Sequence, residues 1–245
     1  MSAASAIRES AAVAAARRDG RPVVALESSV LAQGLPAPAN REAHRRMLDA
    51  VSAAGAVPAI TAVVRGVPTV GLKGDALERF RARDGVHEVA ARDLAIAMAL
   101  QWDGATTVSG SLALCTAAGL GAFATGGIGG VHRESPFDES ADLLELSRSP
   151  VAVVCAGAKS ILDLPATLER LETYGVTVVG YRTNEFPGFF VAETGLPLSV
   201  RVDDVRELAA VERATAGRSL VANLALLEAN AGLAAELALA LAVTP

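Results

Sequence analysis

Short apolar runs alternate with stretches of mixed polarity along this chain, and that alternation predicts its secondary structure. The runs are typical of buried strands, whereas the mixed stretches carry apolar residues at helical spacing. The predicted strands are residues 21–26, 57–64, 69–72, 106–108, 121–125, 151–155 and 176–180.

Helices are predicted between these strands, and several carry start or stop signals. Asn40 is expected to cap a helix that runs to residue 54, where Gly55 ends it. Asp138 or Ser140 would cap a helix over 141–147. The other predicted helices are the alanine-rich N-terminal segment, residues 75–82 and 92–100, a segment ending at 118, residues 160–174, and a closing segment over 219–243.

This order of strands and helices favours an α/β protein. We expect a layered α/β/α fold with a mostly parallel or mixed central sheet, in a single domain over residues 1–245. In such sheets, ligands collect at the carboxyl ends of the strands. Polar residues at those ends are therefore the first candidates for chemistry.

Composition narrows the classes of function. The 245 residues are 51% hydrophobic and 20% charged, with a formal net charge of −5 and no basic block. This balance disfavours nucleic-acid binding and anchoring on acidic membranes, yet allows one small anionic ligand. No apolar stretch approaches the roughly 20 residues of a membrane span. Cys115 and Cys155 lie in apolar surroundings, which suggests inert core thiols in a reducing, cytoplasmic setting.

The lysine that follows the apolar run 151–158 is the most informative residue. The chain has only two lysines, Lys73 and Lys159, against 20 arginines, so arginine supplies the routine surface charge. An amine removed from water loses its proton more easily, and a neutral amine can attack an aldehyde to form an imine. The alternative is a lysine whose alkyl stem is buried while its charge reaches solvent.

A second strand end carries Glu27, directly after an apolar strand. A carboxylic acid in an apolar setting has a raised pKa and can act as a general acid. The alternative is a helix cap or a surface ion pair.

A third strand end opens the glycine-rich run 125–133. Its backbone N–H groups can face an anion, and the charged residues that follow strengthen this interpretation. A plain tight turn is the alternative. The residues concerned are Thr125, Gly126, Gly127, Gly129, Gly130, His132 and Arg133.

Asp138, Ser140 and Asp142 form a compact cluster of oxygens after that run. Alternate oxygens of this kind suit a hard divalent cation that keeps several waters. The same residues also suit a helix start, and both interpretations can hold at once.

Several of these motifs resemble the pseudouridine-5′-phosphate glycosidase family, which includes C-ribosylating enzymes of antibiotic pathways. The resemblance covers nearly the whole chain in order. Its most specific segments are Phe123-Ala-Thr-Gly-Gly-Ile-Gly-Gly-Val-His-Arg133 and Val153-Val-Cys-Ala-Gly-Ala-Lys-Ser-Ile-Leu-Asp163. The others are residues 24–28, 34–36, 104–108, 138–143, 167–175 and 217–223, with Asn230-Ala231.

The resemblance implies that Lys159 holds C1 of ring-opened ribose 5-phosphate as an imine and that Glu27 donates a proton. It implies that Asp138 binds Mn²⁺, or Mg²⁺, and that the assembly is a homotrimer. The residues implied to line the substrate site are Val108, Ser140, Ala141, Asp142 and Asn223, beside the glycine-rich run with Thr125, Gly126, Gly127 and Arg133.

The chain departs from the family pattern at several positions. Glu88 stands where the family has lysine, and Gln33 where it usually has histidine. A carboxylate 4 Å from a phosphate charge costs on the order of 4 kcal/mol at an effective dielectric constant of about 20. If the chain binds a phosphorylated ribose, another cation must replace the lysine, and the candidates are Arg133 and Arg92. One interpretation pairs Arg92 with Glu88 on a helical turn, which leaves the phosphate to Arg133 and the glycine-rich run. The alternative is that Glu88 points to solvent. Several dozen family residues are also missing between about 210 and 215.

Three functions are consistent with the sequence. The first is reversible cleavage of pseudouridine 5′-phosphate to ribose 5-phosphate and uracil. The second is synthesis of a C-riboside from ribose 5-phosphate and another aglycone. The third is a non-catalytic paralogue that binds a sugar phosphate, because site residues rather than the fold determine function.

Overall fold

The computed structural model describes residues 7–34, 36–135, 137–191, 193–223 and 227–243. Within these ranges the strands are β1 (Arg8–Glu9), β2 (Val23–Leu26), β3 (Val57–Val64), β4 (Val67–Val70), β5 (Val86–Val89), β6 (Asp103–Thr106), β7 (Ala122–Ala124), β8 (Val131–His132), β9 (Ala152–Cys155), β10 (Leu162–Asp163), β11 (Thr177–Tyr181), β12 (Arg201–Val202) and β13 (Ser219–Asn223). The α-helices are α1 (Ala11–Arg18), α2 (Ala39–Ala53), α3 (Gly74–Ala82), α4 (Leu94–Ala99), α5 (Val108–Ala118), α6 (Ala141–Arg148), α7 (Leu164–Thr173), α8 (Val205–Ala214) and α9 (Leu227–Ala242).

A mixed sheet forms the centre of the fold, as the sequence predicted. Seven strands run parallel in the order β3-β2-β7-β9-β13-β11-β12. The second half of β3 continues beyond this part and pairs antiparallel with β4 and β6. Strands β1 and β5 then add in parallel to β4 and β6.

Helices cover both faces of the sheet, which confirms the three-layer expectation. Alternate residues of a strand point to opposite faces. Val154 of β9 therefore belongs to the core under α2, α3, α8 and α9, whereas Val153 and Cys155 belong to the core under α1, α5, α6 and α7. Each fully buried Val or Leu contributes roughly 1.5–3 kcal/mol relative to an exposed side chain.

The cysteines and the helices bear on two further expectations. Cys115 and Cys155 are free and buried, and burial raises the pKa of each thiol to about 12, so both are inert core residues as expected. Among the described residues, no helix is long and apolar enough to span a bilayer.

Several predicted element boundaries are wrong. The strand predicted over 106–108 ends at Thr106, and α5 begins at Val108. Asn40 lies inside α2, where its buried amide donates to the Leu31 carbonyl (2.9 Å) instead of capping the helix. The helix predicted from residue 160 begins at Leu164, because Leu162 and Asp163 pair with β8. The closing segment is not helical over Ser219–Asn223, which is inserted between β9 and β11 as a strand; its described helix is Leu227–Ala242.

One glycine determines how closely the chain can pack behind the end of β9. Gly157 has φ +76° and faces Gly188 across an isolated bridge. A Cβ on Gly157 would lie 1.8 Å from the Pro187 carbonyl oxygen. The backbone contact therefore tolerates no side chain.

We expect Gly157→Ala to lower the free energy of unfolding by roughly 3 kcal/mol. The alanine would be strained by the left-handed backbone conformation, and its methyl group would also clash with the Pro187 carbonyl. Gly195→Ala is the matched control, because Gly195 has φ +72° but no atom within 4 Å of its Cβ position. It should cost about 1–2 kcal/mol from strain alone. Urea unfolding measures both, and equal losses would contradict a tight contact at Gly157.

Candidate active site

The carboxyl ends of neighbouring parallel strands bring the predicted site residues to one edge of the sheet. Glu27 follows β2, Thr125 follows β7, Lys159 lies four residues beyond β9, and Asn223 ends β13. Strand β6 runs antiparallel to β3 and so delivers the start of α5 to the same edge. The sheet order therefore assembles residues that are more than a hundred positions apart in sequence.

Glu27 is buried beneath this edge, with 9% of its surface exposed. Its carboxylate accepts hydrogen bonds from the hydroxyls of Ser29 and Thr125. Burial raises the pKa of Glu27 above its usual value, the two hydroxyls and the charge of Lys159 partly oppose that rise, and the charge of Asp142 adds to it. Burial is the largest of these effects on the pKa of Glu27.

Lys159 is close enough to Glu27 for its charge to act on that carboxyl, but its side chain is exposed. The desolvation expected from the sequence is therefore absent in the isolated chain. Its backbone is fixed: the N–H donates to the Ile128 carbonyl (3.1 Å), and the carbonyl accepts from Leu162 (3.0 Å).

Asp142 supplies the anion that the glycine-rich run binds within the chain. Its buried carboxylate accepts the backbone N–H of Ser109 (2.8 Å) at the start of α5 and that of Gly129 (2.9 Å). Helix N-termini and glycine loops favour negative charge at these positions. Val108 and Ala141, the first residues of α5 and α6, lie beside this contact.

The glycines of the run are required by close packing against the protein. A Cβ on Gly126 or Gly127 would meet the ring of Phe189, at 3.2 and 2.6 Å. A Cβ on Gly129 would meet the Ser140 hydroxyl at 2.3 Å. These contacts account for the composition of the run without an external ligand.

The predicted cluster of Asp138, Ser140 and Asp142 does not form as a three-oxygen set. Ser140 caps α6 by accepting the Asp142 N–H (3.2 Å), and the Asp142 carboxylate is bound to backbone. Asp138 is exposed beside His132, whose Nδ1 lies 3.3 Å from its carboxylate. Among the described residues, no group of three or more His, Cys, Asp or Glu side chains could hold a metal ion. Asp138 alone remains a candidate ligand.

The predicted Glu88–Arg92 pair is wrong. Glu88 lies on β5, so no helical turn joins it to Arg92, whose guanidinium pairs with Asp93 (3.4 Å). Arg133 is also engaged differently: it donates to the carbonyls of Leu162 (3.0 Å) and Ser160 (2.9 Å). Its guanidinium therefore fixes the loop that carries Lys159.

Asn223 joins the site to a neighbouring cleft. Its amide donates to Asn230 (3.1 Å), whose own amide donates to the Thr125 carbonyl (2.9 Å). Asn223 also lines an open cleft of about 990 Å³ between α2 and α9.

The sequence reasoning missed the segment from Thr183 to Val191. Phe189 packs on the glycine-rich run, and its N–H donates to the Ala156 carbonyl (3.0 Å). The available signal was Pro187-Gly188 followed by two phenylalanines, in a chain with only six.

Comparisons with known proteins show which family the chain is similar to. Residues 12–215 match the family described as indigoidine synthase A like protein. The pseudouridine-5′-phosphate glycosidase of Gemmatimonas aurantiaca is 52% identical over 293 positions, which cover 96% of each chain. That of Salinispora tropica is 53% identical over 83% of this chain and 64% of its own length. The chain thus spans about two thirds of the Salinispora enzyme, and the Gemmatimonas alignment is longer than the chain itself.

Two solved structures share the fold. The prealnumycin C-glycosynthase AlnA, in complex with ribulose 5-phosphate, is 39% identical with a TM-score of 0.82, over 89% of this chain and 72% of its own. An indigoidine synthase A-like protein from Thermotoga maritima is 30% identical with a TM-score of 0.86, over 95% of both chains. Because the match extends over most of its residues at such identities, the chain belongs to the indigoidine synthase A-like family, which its pseudouridine-5′-phosphate glycosidase relatives share.

Proposed function

We propose that this protein reversibly cleaves the C–C glycosidic bond of pseudouridine 5′-phosphate to give ribose 5-phosphate and uracil. The observation that carries the proposal is that Lys159, beyond β9, lies close enough to the buried Glu27, after β2, for its charge to act on that carboxyl. Only β7 separates these two strands in the sheet. The names of the curated relatives support the same substrate.

Lys159 is the proposed nucleophile. Its amine bonds to C1 of the opened ribose chain, and the bond from C1 to uracil then breaks. The electron pair goes to the uracil carbon, which takes up a proton, while C1 becomes an iminium on Lys159. Water hydrolyses that imine, which releases the aldehyde of ribose 5-phosphate and frees the lysine.

Glu27 is the proposed proton donor. It protonates the ribose ring oxygen as the bond from that oxygen to C1 opens, and it recovers the proton when the cycle closes. The hydroxyls of Ser29 and Thr125 hold its carboxyl in one position. Arg133 supports the reaction indirectly, since it fixes the loop after Lys159.

The family resemblance adds a divalent ion and a trimer to this proposal. Asp138 would hold Mn²⁺ or Mg²⁺ as one carboxylate of a largely hydrated ion, which would neutralise charge on the bound phosphate. The homotrimer stays a prediction for light scattering to test.

A C-glycosynthase is the second candidate function. It is favoured by the structural similarity to AlnA at 39% identity. Uracil-dependent consumption of ribose 5-phosphate supports the glycosidase, whereas turnover only with another aromatic acceptor supports the synthase.

Borohydride reduction in the presence of ribose 5-phosphate should fix a ribose-phosphate mass on the peptide that contains Lys159. Lys159→Ala and Lys159→Arg should both reduce cleavage to background, because a guanidinium does not deprotonate near neutral pH. Lys73→Ala, the other lysine, is the matched control and should stay active. Labelling at Lys73, or activity in Lys159→Ala, would overturn the mechanism.

The pH profile of kcat/KM should fall on the alkaline side as Glu27 loses its proton. Ser29→Ala removes a hydrogen bond that lowers the pKa of Glu27, so this limb should move to higher pH. Asp142→Asn removes a charge that raises the pKa, so the limb should move to lower pH. Shifts in the same direction, measured in variants with native circular dichroism, would contradict the assignment of Glu27.

Asp138→Asn should weaken Mn²⁺ binding about tenfold or more, because it removes the charged ligand. Asp49→Asn, at an exposed acid on α2, is the control. Electron paramagnetic resonance of free Mn²⁺ in a titration gives the Mn²⁺ affinity of each variant. Equal affinities would exclude Asp138 as a metal ligand.

A further inference from the structure

Two adjacent phenylalanines stand beside the site, and the proposed reaction does not yet use them. Aromatic residues make up only 4% of the chain, and Phe80, Phe123 and Phe186 are fully buried. Phe190, in contrast, is 74% exposed, and its ring meets that of Phe189 edge-on with centroids 4.4 Å apart. An exposed aromatic ring beside a site often marks a recognition surface.

The backbone holds this aromatic pair in a strained conformation. Phe189 has φ +63°, a left-handed value that is unfavourable for a bulky side chain. Two backbone hydrogen bonds fix the turn: the Phe189 N–H donates to the Ala156 carbonyl (3.0 Å), and the Gly188 N–H donates to the Val191 carbonyl (2.8 Å). A strained backbone conformation of this kind persists only where the surrounding contacts hold it in place. Such conformations are concentrated at ligand-binding sites.

The pair adjoins the reacting groups. The ring of Phe189 lies against Gly126 and Gly127, directly after Thr125, whose hydroxyl binds Glu27. The same segment packs on Gly157, two residues before Lys159. An aglycone that leaves C1 while C1 is bonded to Lys159 would therefore depart near these rings.

We propose that Phe190, positioned by Phe189, is a stacking platform for the planar aglycone and so contributes to binding of flat, conjugated acceptors. This inference rests on the proposed function. Uracil and other flat conjugated acceptors present a π face to such a ring, whereas the sugar phosphate does not.

The test measures synthesis from ribose 5-phosphate and uracil. Phe190→Ala should raise the KM for uracil about tenfold, since loss of base stacking on an aromatic side chain costs about 1–3 kcal/mol. Phe190→Tyr should restore the wild-type KM. Leu100→Ala, at another exposed apolar residue, is the control and should leave the KM for uracil unchanged. Borohydride trapping of ribose 5-phosphate on Lys159 should be the same in Phe190→Ala as in wild type.

Three results would overturn the platform: an unchanged KM for uracil, loss of the trapped imine along with uracil binding, or a changed oligomeric state by light scattering. The last would make Phe190 an interface residue between copies of the chain. Wild-type protein that forms no imine would instead contradict the proposed function. The two failures are therefore distinguishable.

Discussion

The carboxylate of Asp142 joins the segments on which the site depends. It accepts one backbone N–H from the start of α5 and one from the glycine-rich run, and it lies in the first turn of α6. The starts of α5 and α6 and the glycine-rich run thereby share one buried carboxylate, whose negative charge the backbone dipoles stabilise. A neutral side chain of the same size would lose that attraction, so the geometry around Glu27 depends on this contact.

The same charge has a chemical consequence at Glu27. Two carboxyls in one neighbourhood oppose each other's ionisation, so the charge of Asp142 adds to the raised pKa of Glu27. Burial remains the main cause of that raised pKa. The side chain of Lys159 is exposed, so the proposed acid and the proposed nucleophile occupy different environments on one sheet edge.

A buried carboxylate on α8 is a different polar group that lacks compensation. Glu212 is 2% exposed, and neither carboxylate oxygen has a hydrogen-bond partner among the described residues. Burial raises the pKa of Glu212 to about 7 from an ordinary 4.5. Its contribution to stability is therefore full below about pH 4.5 and is lost as the pH rises through about 7, because ionisation in the core is unfavourable.

Alternating apolar runs and glycine stops were enough to predict the layered α/β fold and most strands, because burial on both faces requires continuous apolar residues. Rare residues at strand ends, above all Lys159 and Glu27, were likewise visible without coordinates. The partners of those residues were not. Whether Asp142 faces a metal or a backbone N–H, whether Glu88 lies on a helix or a strand, and what Phe189 packs against depend on sheet order and helix position. Those are set by contacts between residues far apart in sequence, which local spacing does not encode.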